Sequence, residues 1–303
     1  MLRDTPGKAQ RNTQTMNTTA IGNVSADGIN IFYRYAGPPD APVILLLHGF
    51  PASSFMFRNL IPLLALSYHV IAPDLPGFGF TQVPSERNYQ YTFANFAKTT
   101  EAFLDALHIE QFAVYIFDYG APTGLRVALD RPDAITAIIS QNGNAYVEGL
   151  GASFWAPVER YWASNSTADR DALRPALTFN ATRGQYVDGS PHPDKIPPET
   201  YHLDQALLER PGNKDLQLDI LYDYRTNVAL YPQFQAYFRD SGVPVLAAWG
   251  RNDAIFVPPG AEAFARDVKD FELHFLDAGH FALETNEVEV AGLIDAFLKK
   301  HKK

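Results

Sequence analysis

Three residues able to do acid–base or nucleophilic chemistry fall at three predicted strand ends: Asp118, Asp253 and His280. Residues 113–117 are apolar without alternation, as expected of a parallel strand covered on both faces, and 121–130 have helical spacing ended by Arg131-Pro132. Asp118 stands at the junction. A strand that turns sharply into a helix lifts the residue at the turn above the sheet edge, beside unpaired N–H groups that favour negative charge, which is the geometry of a nucleophile elbow. A carboxylate of ordinary pKa is already ionised at neutral pH, so Asp118 would attack carbon without first losing a proton, as a serine must. His280, in Asp277-Ala278-Gly279-His280, would take a proton from water, and Asp253, in Gly250-Arg251-Asn252-Asp253, would hold the imidazole.

Each residue also has a plainer use. Asp is a preferred helix N-cap, Asp253 could be an ordinary loop acid, and His280 a helix cap. The three together are harder to dismiss, because parallel strands deliver their carboxyl ends to one crevice.

The elements that must position them alternate. Strands are predicted over 21–25 and 29–35, joined by an Asp27-Gly28 turn, then over 43–47, 68–72, 113–117, 134–140, 243–249 and 272–276. Helices are predicted over 57–66, with Pro62 a candidate kink, and over 93–107, 121–130, 261–267 and 287–299. Between about 145 and 240 no buried-strand pattern occurs, only aromatic helical segments and Pro-bearing loops. The α/β class follows, with a mostly parallel sheet, helices on both faces and an inserted helical cap. The division is a flexible tail over 1–18, a core over 19–142 and 242–303, and the cap over 143–241.

Composition narrows the partners. With 303 residues, 46% hydrophobic and 19% charged, the chain can bury a large core. A net charge of −9 argues against nucleic acid, and apolar runs such as 43–47 are too short to span a membrane. The chain has no cysteine, so disulfides, thiolate metal sites and cysteine nucleophiles are excluded. The first 18 residues lack the apolar region of a secretory signal, which points to a cytoplasmic protein. The expected partner is a small apolar substrate, with no nucleic acid and no membrane, and a homodimer is left open. No metal or cofactor is expected.

The order nucleophile, acid, histidine, together with His48-Gly49-Phe50-Pro51 after the 43–47 strand, resembles the α/β-hydrolase superfamily over nearly the whole chain after Thr19. More narrowly it is similar to the branch with a carboxylate nucleophile, which holds epoxide hydrolases and haloalkane and haloacetate dehalogenases. One departure stands out: Ile116 occupies the position, two before the nucleophile, where the superfamily usually has glycine, and it leaves less room for the following helix. The resemblance implies an ester on Asp118 hydrolysed by water, with the N–H groups of Phe50 and Tyr119 as the oxyanion hole. It also implies two cap tyrosines that protonate an epoxide oxygen, matched here by Tyr224 in Asp223-Tyr224-Arg225 and by Tyr161 in Arg160-Tyr161-Trp162.

Haloalkane dehalogenases usually carry Trp after the nucleophile and a polar residue after His-Gly, where this chain has Tyr119 and Phe50. Haloacetate dehalogenases place arginines just after the nucleophile, where Tyr119 and Pro122 stand. Epoxide opening is therefore the preferred expectation, dehalogenation the alternative, and a non-catalytic ligand-binding fold the third. The pocket is expected to be lined by Phe50, Tyr119, Trp155, Trp162 and Phe281.

Overall fold

A computed structural model describes residues 18–302, so the part of the predicted tail over 1–17 lies outside the described residues. The strands are β1 (Ala20–Ala26), β2 (Ile29–Ala36), β3 (Val43–Leu47), β4 (His69–Pro73), β5 (Phe112–Ile116), β6 (Ile135–Ser140), β7 (Val245–Gly250) and β8 (Phe271–Leu276). They form one sheet in the order β1-β2-β4-β3-β5-β6-β7-β8. The β1–β2 and β2–β4 pairs are antiparallel and every later pair is parallel. The hairpin between β1 and β2 turns through Asp27 and Gly28, both at positive φ (52° and 70°), the conformation that Asp-Gly supplies at least cost.

Apolar runs without alternation give two cores, because successive side chains of a strand face opposite sides of the sheet. Leu45, Leu47, Val114, Ile116, Val245 and Ala247 enter one core, and Ile44, Leu46, Ala113, Tyr115, Leu246 and Ala248 enter the other. Helices Phe93–Ala106 and Gly120–Asp130 cover the first face, and Leu60–Leu64 and Glu287–Lys300 cover the second. In Phe93–Ala106, Thr92 caps the first turn by accepting from Asn95 N–H, and Phe93, Phe96 and Phe103 are fully buried. Each such ring contributes about 1.5–3 kcal/mol by leaving water.

Between β6 and β7 the described chain is helical, its longer pieces being Ala152–Ser164, Pro198–Leu208, Asn213–Asp223 and Arg225–Ser241. Its contacts with the sheet domain include an isolated bridge from Leu150 to Phe256 and a bond from Phe93 N–H to the Asp223 carboxylate (2.8 Å).

Two helix expectations need correction. The stretch expected as one helix over 57–66 is a 3₁₀ turn, Ser54–Phe57, followed by a short helix, Leu60–Leu64. Pro62 sits in the first turn of that helix, where no N–H is needed, so it does not bend it. The helix expected over 261–267 begins earlier, at Pro258, and ends as a 3₁₀ turn at Arg266.

Candidate active site

The three strand-end residues converge. Asp118 lies two residues past β5 with φ of +46°, a left-handed conformation that costs an ordinary side chain energy and that Asp tolerates better than most. Glycines make this sharp turn feasible. A Cβ on Gly49 would lie 2.3 Å from the Asp118 Cβ, and one on Gly120 would lie 2.2 Å from the Leu47 carbonyl oxygen. Ile116 is accommodated from the other side: a Cβ on Gly124 would meet Ile116 Cγ2 at 2.8 Å. Space that a glycine two residues before Asp118 would have left on the strand is supplied by a glycine on the helix.

His280 Nδ1 lies 2.7 Å from Asp253 Oδ2, and His280 Nε2 lies 3.9 Å from Asp118 Oδ2. Because Asp253 presents only acceptors, the Nδ1 proton points at it, and Nε2 of the neutral ring carries its lone pair toward Asp118. Nε2 is buried with no hydrogen-bond partner among the described residues. Two glycines bring these loops together, since a Cβ on Gly250 would stand 2.0 Å from the Gly279 carbonyl oxygen. Asp118, Asp253 and His280 are 5%, 4% and 3% exposed.

Burial pushes the Asp118 carboxyl up to about 6; His280 and the N–H groups of Phe50 and Tyr119 act against that rise, and Asp253 adds to it. The nucleophile candidate thus departs from the ordinary carboxylate expected, yet stays mostly ionised at pH 7. For His280 burial opposes protonation, but the Asp253 and Asp118 carboxylates outweigh it and the imidazole is raised above its usual value.

Phe50 N–H donates to Asp118 Oδ1 at 2.6 Å. Its loop is stapled from below by His48, fully buried, whose Nε2 accepts from Leu75 N–H (2.9 Å) and whose Nδ1 faces the Gly49 carbonyl (3.1 Å). Those partners fix the tautomer with the proton on Nδ1. Asp74 closes the same region by accepting from Ser54 N–H and Phe80 N–H, each at 2.7 Å.

Over Asp118 stands an aromatic wall. Tyr119 is 6.0 Å from Phe50 and 5.9 Å from Tyr224, and Tyr224 packs on Trp155 (4.6 Å), Phe93 (5.4 Å) and Trp162 (6.2 Å, stacked) between ring centroids. The Tyr161 ring packs on Tyr222 at 4.8 Å. Phe281 stands apart from this wall, in the second core, stacked on Tyr186 at 3.9 Å and packed on Phe117.

A cavity of about 1170 Å³ opens at the other end of the sheet, among Val43, Ala113, Ile135 and Pro244, and touches none of the residues above. Beside Phe50, between Gly77–Gly79 and Leu207–Gln217, the free space is only about 10 Å³.

Sequence reasoning gave Asn142 no definite role, and the structure gives it one. Its Nδ2 donates to Asp253 Oδ2 (2.7 Å), while its Oδ1 accepts from Gly250 N–H (2.8 Å) and Gln141 Nε2 (2.7 Å). Gln141 Nε2 in turn reaches the His280 carbonyl (2.9 Å). The available signal is position, since Asn142 stands two residues past the end of β6, the strand beside β7. Tyr231 carries no mark in the sequence that sets it apart from the other tyrosines of the helical segment; its hydroxyl lies 3.3 Å from that of Tyr224.

Known proteins bear on this arrangement. An uncharacterized hydrolase of Saccharomyces cerevisiae is 51% identical over 268 residues, covering 88% of this chain and 92% of its own. A haloalkane dehalogenase of Mycobacterium marinum is 37% identical over 116 residues, 38% of this chain and 39% of its own. The solved structure of the epoxide hydrolase CorEH superposes with a TM-score of 0.75 at 19% identity, covering 93% of this chain and 99% of that one, a likeness of fold. The model of the α/β hydrolase fold family matches residues 42–287, so the chain belongs to that family.

Proposed function

We propose that this hydrolase opens small to medium apolar epoxides to diols through an ester on Asp118, with the helical segment between β6 and β7 serving as the cap over the site. The observation that carries the proposal is a carboxylate at the elbow, flanked by His280 and Asp253 below and by the Tyr224 phenol above. Asp118 Oδ attacks an epoxide carbon, the carbon–oxygen bond breaks, and the leaving oxygen takes the Tyr224 proton. His280 Nε2 then removes a proton from water, and the hydroxide attacks the Asp118 carbonyl carbon. The N–H groups of Phe50 and Tyr119 hold the oxyanion. On collapse the carboxyl proton passes to the departing alkoxide, and the imidazolium proton restores Tyr224 through solvent. Esterification cancels the Asp118 charge, one of the two that favour the imidazolium, so the base form of His280 gains ground at the step that needs it.

Dehalogenation with the same nucleophile is the second reading, favoured by the likeness to a haloalkane dehalogenase over 116 residues. A halide needs donors, and the indole N–H groups are committed elsewhere: Trp155 to the Ile255 carbonyl (3.0 Å), Trp162 to that of Leu221 (2.8 Å) and Trp249 to that of Phe256 (2.8 Å). These are the three tryptophans of the chain. The phenol of Tyr224, a proton donor that an alkoxide requires and a halide does not, supports the epoxide reading.

The test is a parallel assay on epoxide, haloalkane and haloacetate panels, scoring diol against halide. Diol formation with single-turnover oxygen-18 from water entering Asp118 first supports the proposal. Label passing directly into the diol excludes the ester, and halide release without diol transfers the assignment to dehalogenation.

A further inference from the structure

We propose that Tyr231, seated by Asn144, is a positioning residue that accepts no substrate contact itself but turns the Tyr224 hydroxyl proton toward the substrate oxygen. This rests on the epoxide-opening reading and adds two residues to it.

The argument is one of hydrogen-bond accounting. Tyr224, Tyr231 and Asn144 are 0%, 2% and 1% exposed, so their polar atoms depend on protein partners. Asn144 Nδ2 donates to the Tyr146 carbonyl (2.7 Å) and its Oδ1 accepts from Tyr146 N–H (3.3 Å). Flipping the amide would set oxygen against oxygen and N–H against N–H, so the orientation is fixed. The second Nδ2 proton therefore goes to Tyr231 Oη, 3.3 Å away. A phenol has one proton of its own, and for Tyr231 the acceptor within reach among the described residues is Tyr224 Oη, at 3.3 Å. Tyr231 thus donates to Tyr224, and the Tyr224 proton is left for a different acceptor.

Direction follows from packing. The Tyr224 ring is clamped by Trp155, Trp162, Phe93 and Tyr119, so the remaining freedom is rotation of the hydroxyl, which the bond from Tyr231 sets. Tyr224 immediately precedes helix Arg225–Ser241, and Tyr231, seven residues on and about two turns away, lies on the same face. Burial is the chief cause that raises both phenols; the Asp118 charge adds to the rise at Tyr224 and is not among the causes at Tyr231. As the proton leaves, negative charge grows on Tyr224 Oη and the bond donated by Tyr231 strengthens, so its effect falls on the transition state of ring opening. Ester hydrolysis, which does not use Tyr224, is untouched.

The experiment is a quench-flow cycle with styrene oxide on the full chain, following ester formation by intact mass and ester hydrolysis separately, for Tyr231→Phe, Tyr224→Phe and the double variant. Phenylalanine keeps both rings in place. Tyr231→Phe is expected to slow ester formation about five- to tenfold, the size of one net hydrogen bond, with hydrolysis unchanged. Tyr224→Phe is expected to slow it by about 100-fold or more. The double variant should be no slower than Tyr224→Phe alone, because Tyr231 acts only through Tyr224. Additive losses, equal slowing of both steps, or no effect of Tyr231→Phe would overturn the role given to Tyr231 and leave epoxide opening standing. A native chain that forms no ester from the epoxide, or an unimpaired Tyr224→Phe, would instead overturn the epoxide reading, and this inference with it.

Discussion

His280 Nε2 faces Asp118 Oδ2 across 3.9 Å, beyond hydrogen-bond reach, while its Nδ1 is bonded to Asp253 at 2.7 Å. The base is therefore oriented by one carboxylate and aimed at the other without neutralising it, an arrangement suited to activating a water beside an ester rather than to deprotonating Asp118. Replacing His280 with Gln keeps a planar polar side chain but removes the base. The expected outcome is normal ester formation and stalled hydrolysis, seen as a stable mass gain on Asp118 with an epoxide. Turnover within a few fold of the native rate would remove His280 from the second step.

Asp118 should impose its own pH signature. Its carboxyl is raised from 3.8 to about 6, so the ionised nucleophile, and with it kcat/KM, is lost as pH falls through about 6. Stability moves the other way. A raised acid binds its proton more tightly folded than unfolded, so between about 4 and 6 stability falls as pH rises, and above 6 the full cost is present. Asp118→Asn, a residue equally tolerant of the left-handed turn, should therefore gain about 2–3 kcal/mol over the native chain at pH 7 and lose that advantage below pH 4. Urea unfolding of both chains at pH 4 and pH 7.5 reads the difference; equal midpoints at pH 7.5 would mean that the buried charge carries no such cost.

Asn142 donates to the same Asp253 oxygen that receives His280, and it sits at φ of +49°. Asn142→Ala combines a lost bond to a buried carboxylate with backbone strain, and about 1–3 kcal/mol of stability should go. Asn142→Gly separates the two, since glycine adopts the backbone freely but has no amide. If the amide holds Asp253 in place, both variants lose about tenfold in ester hydrolysis measured by single turnover. A fully active Asn142→Gly would confine Asn142 to the backbone.

What could be read from the sequence, and what could not, divides along range. The parallel strands and the Asp118 elbow depend on local pattern, an apolar run ended by an acid and a glycine, and the Asp27-Gly28 hairpin on two adjacent residues. The departures come from contacts between distant positions. Asp253 and Asn142 are 111 residues apart and Asn144 and Tyr231 87 apart, so no spacing rule announces either pair. Tyr161, expected as a proton donor, and Trp162, expected to line the pocket, are adjacent in sequence. Their ring contacts differ, Trp162 stacking on Tyr224 and Tyr161 packing on Tyr222. The upward shift of Asp118 is not legible in the sequence, because desolvation is a property of the closed site and of no single residue.

Ile116 and Gly124 make a final case, in which an exception to a sequence pattern explains another residue. Ile116 fills the position where a glycine would let the helix approach, and the helix answers with Gly124, whose added Cβ would meet Ile116 Cγ2 at 2.8 Å and Leu47 Cδ1 at 3.2 Å. The pair should be energetically coupled. Gly124→Ala alone overpacks the strand–helix contact and should cost about 1–3 kcal/mol, even though alanine is the better helix former. Ile116→Ala alone leaves a cavity in a fully buried strand and should cost about 2–5 kcal/mol. Together, the methyl added at Gly124 enters space vacated by Ile116, so the double variant should be more stable than the sum of the single losses by about 1 kcal/mol or more. A denaturant double-mutant cycle measures that difference directly. Strict additivity would mean that the helix shifts as a body to admit the new methyl, and that Gly124 owes nothing to the isoleucine opposite it.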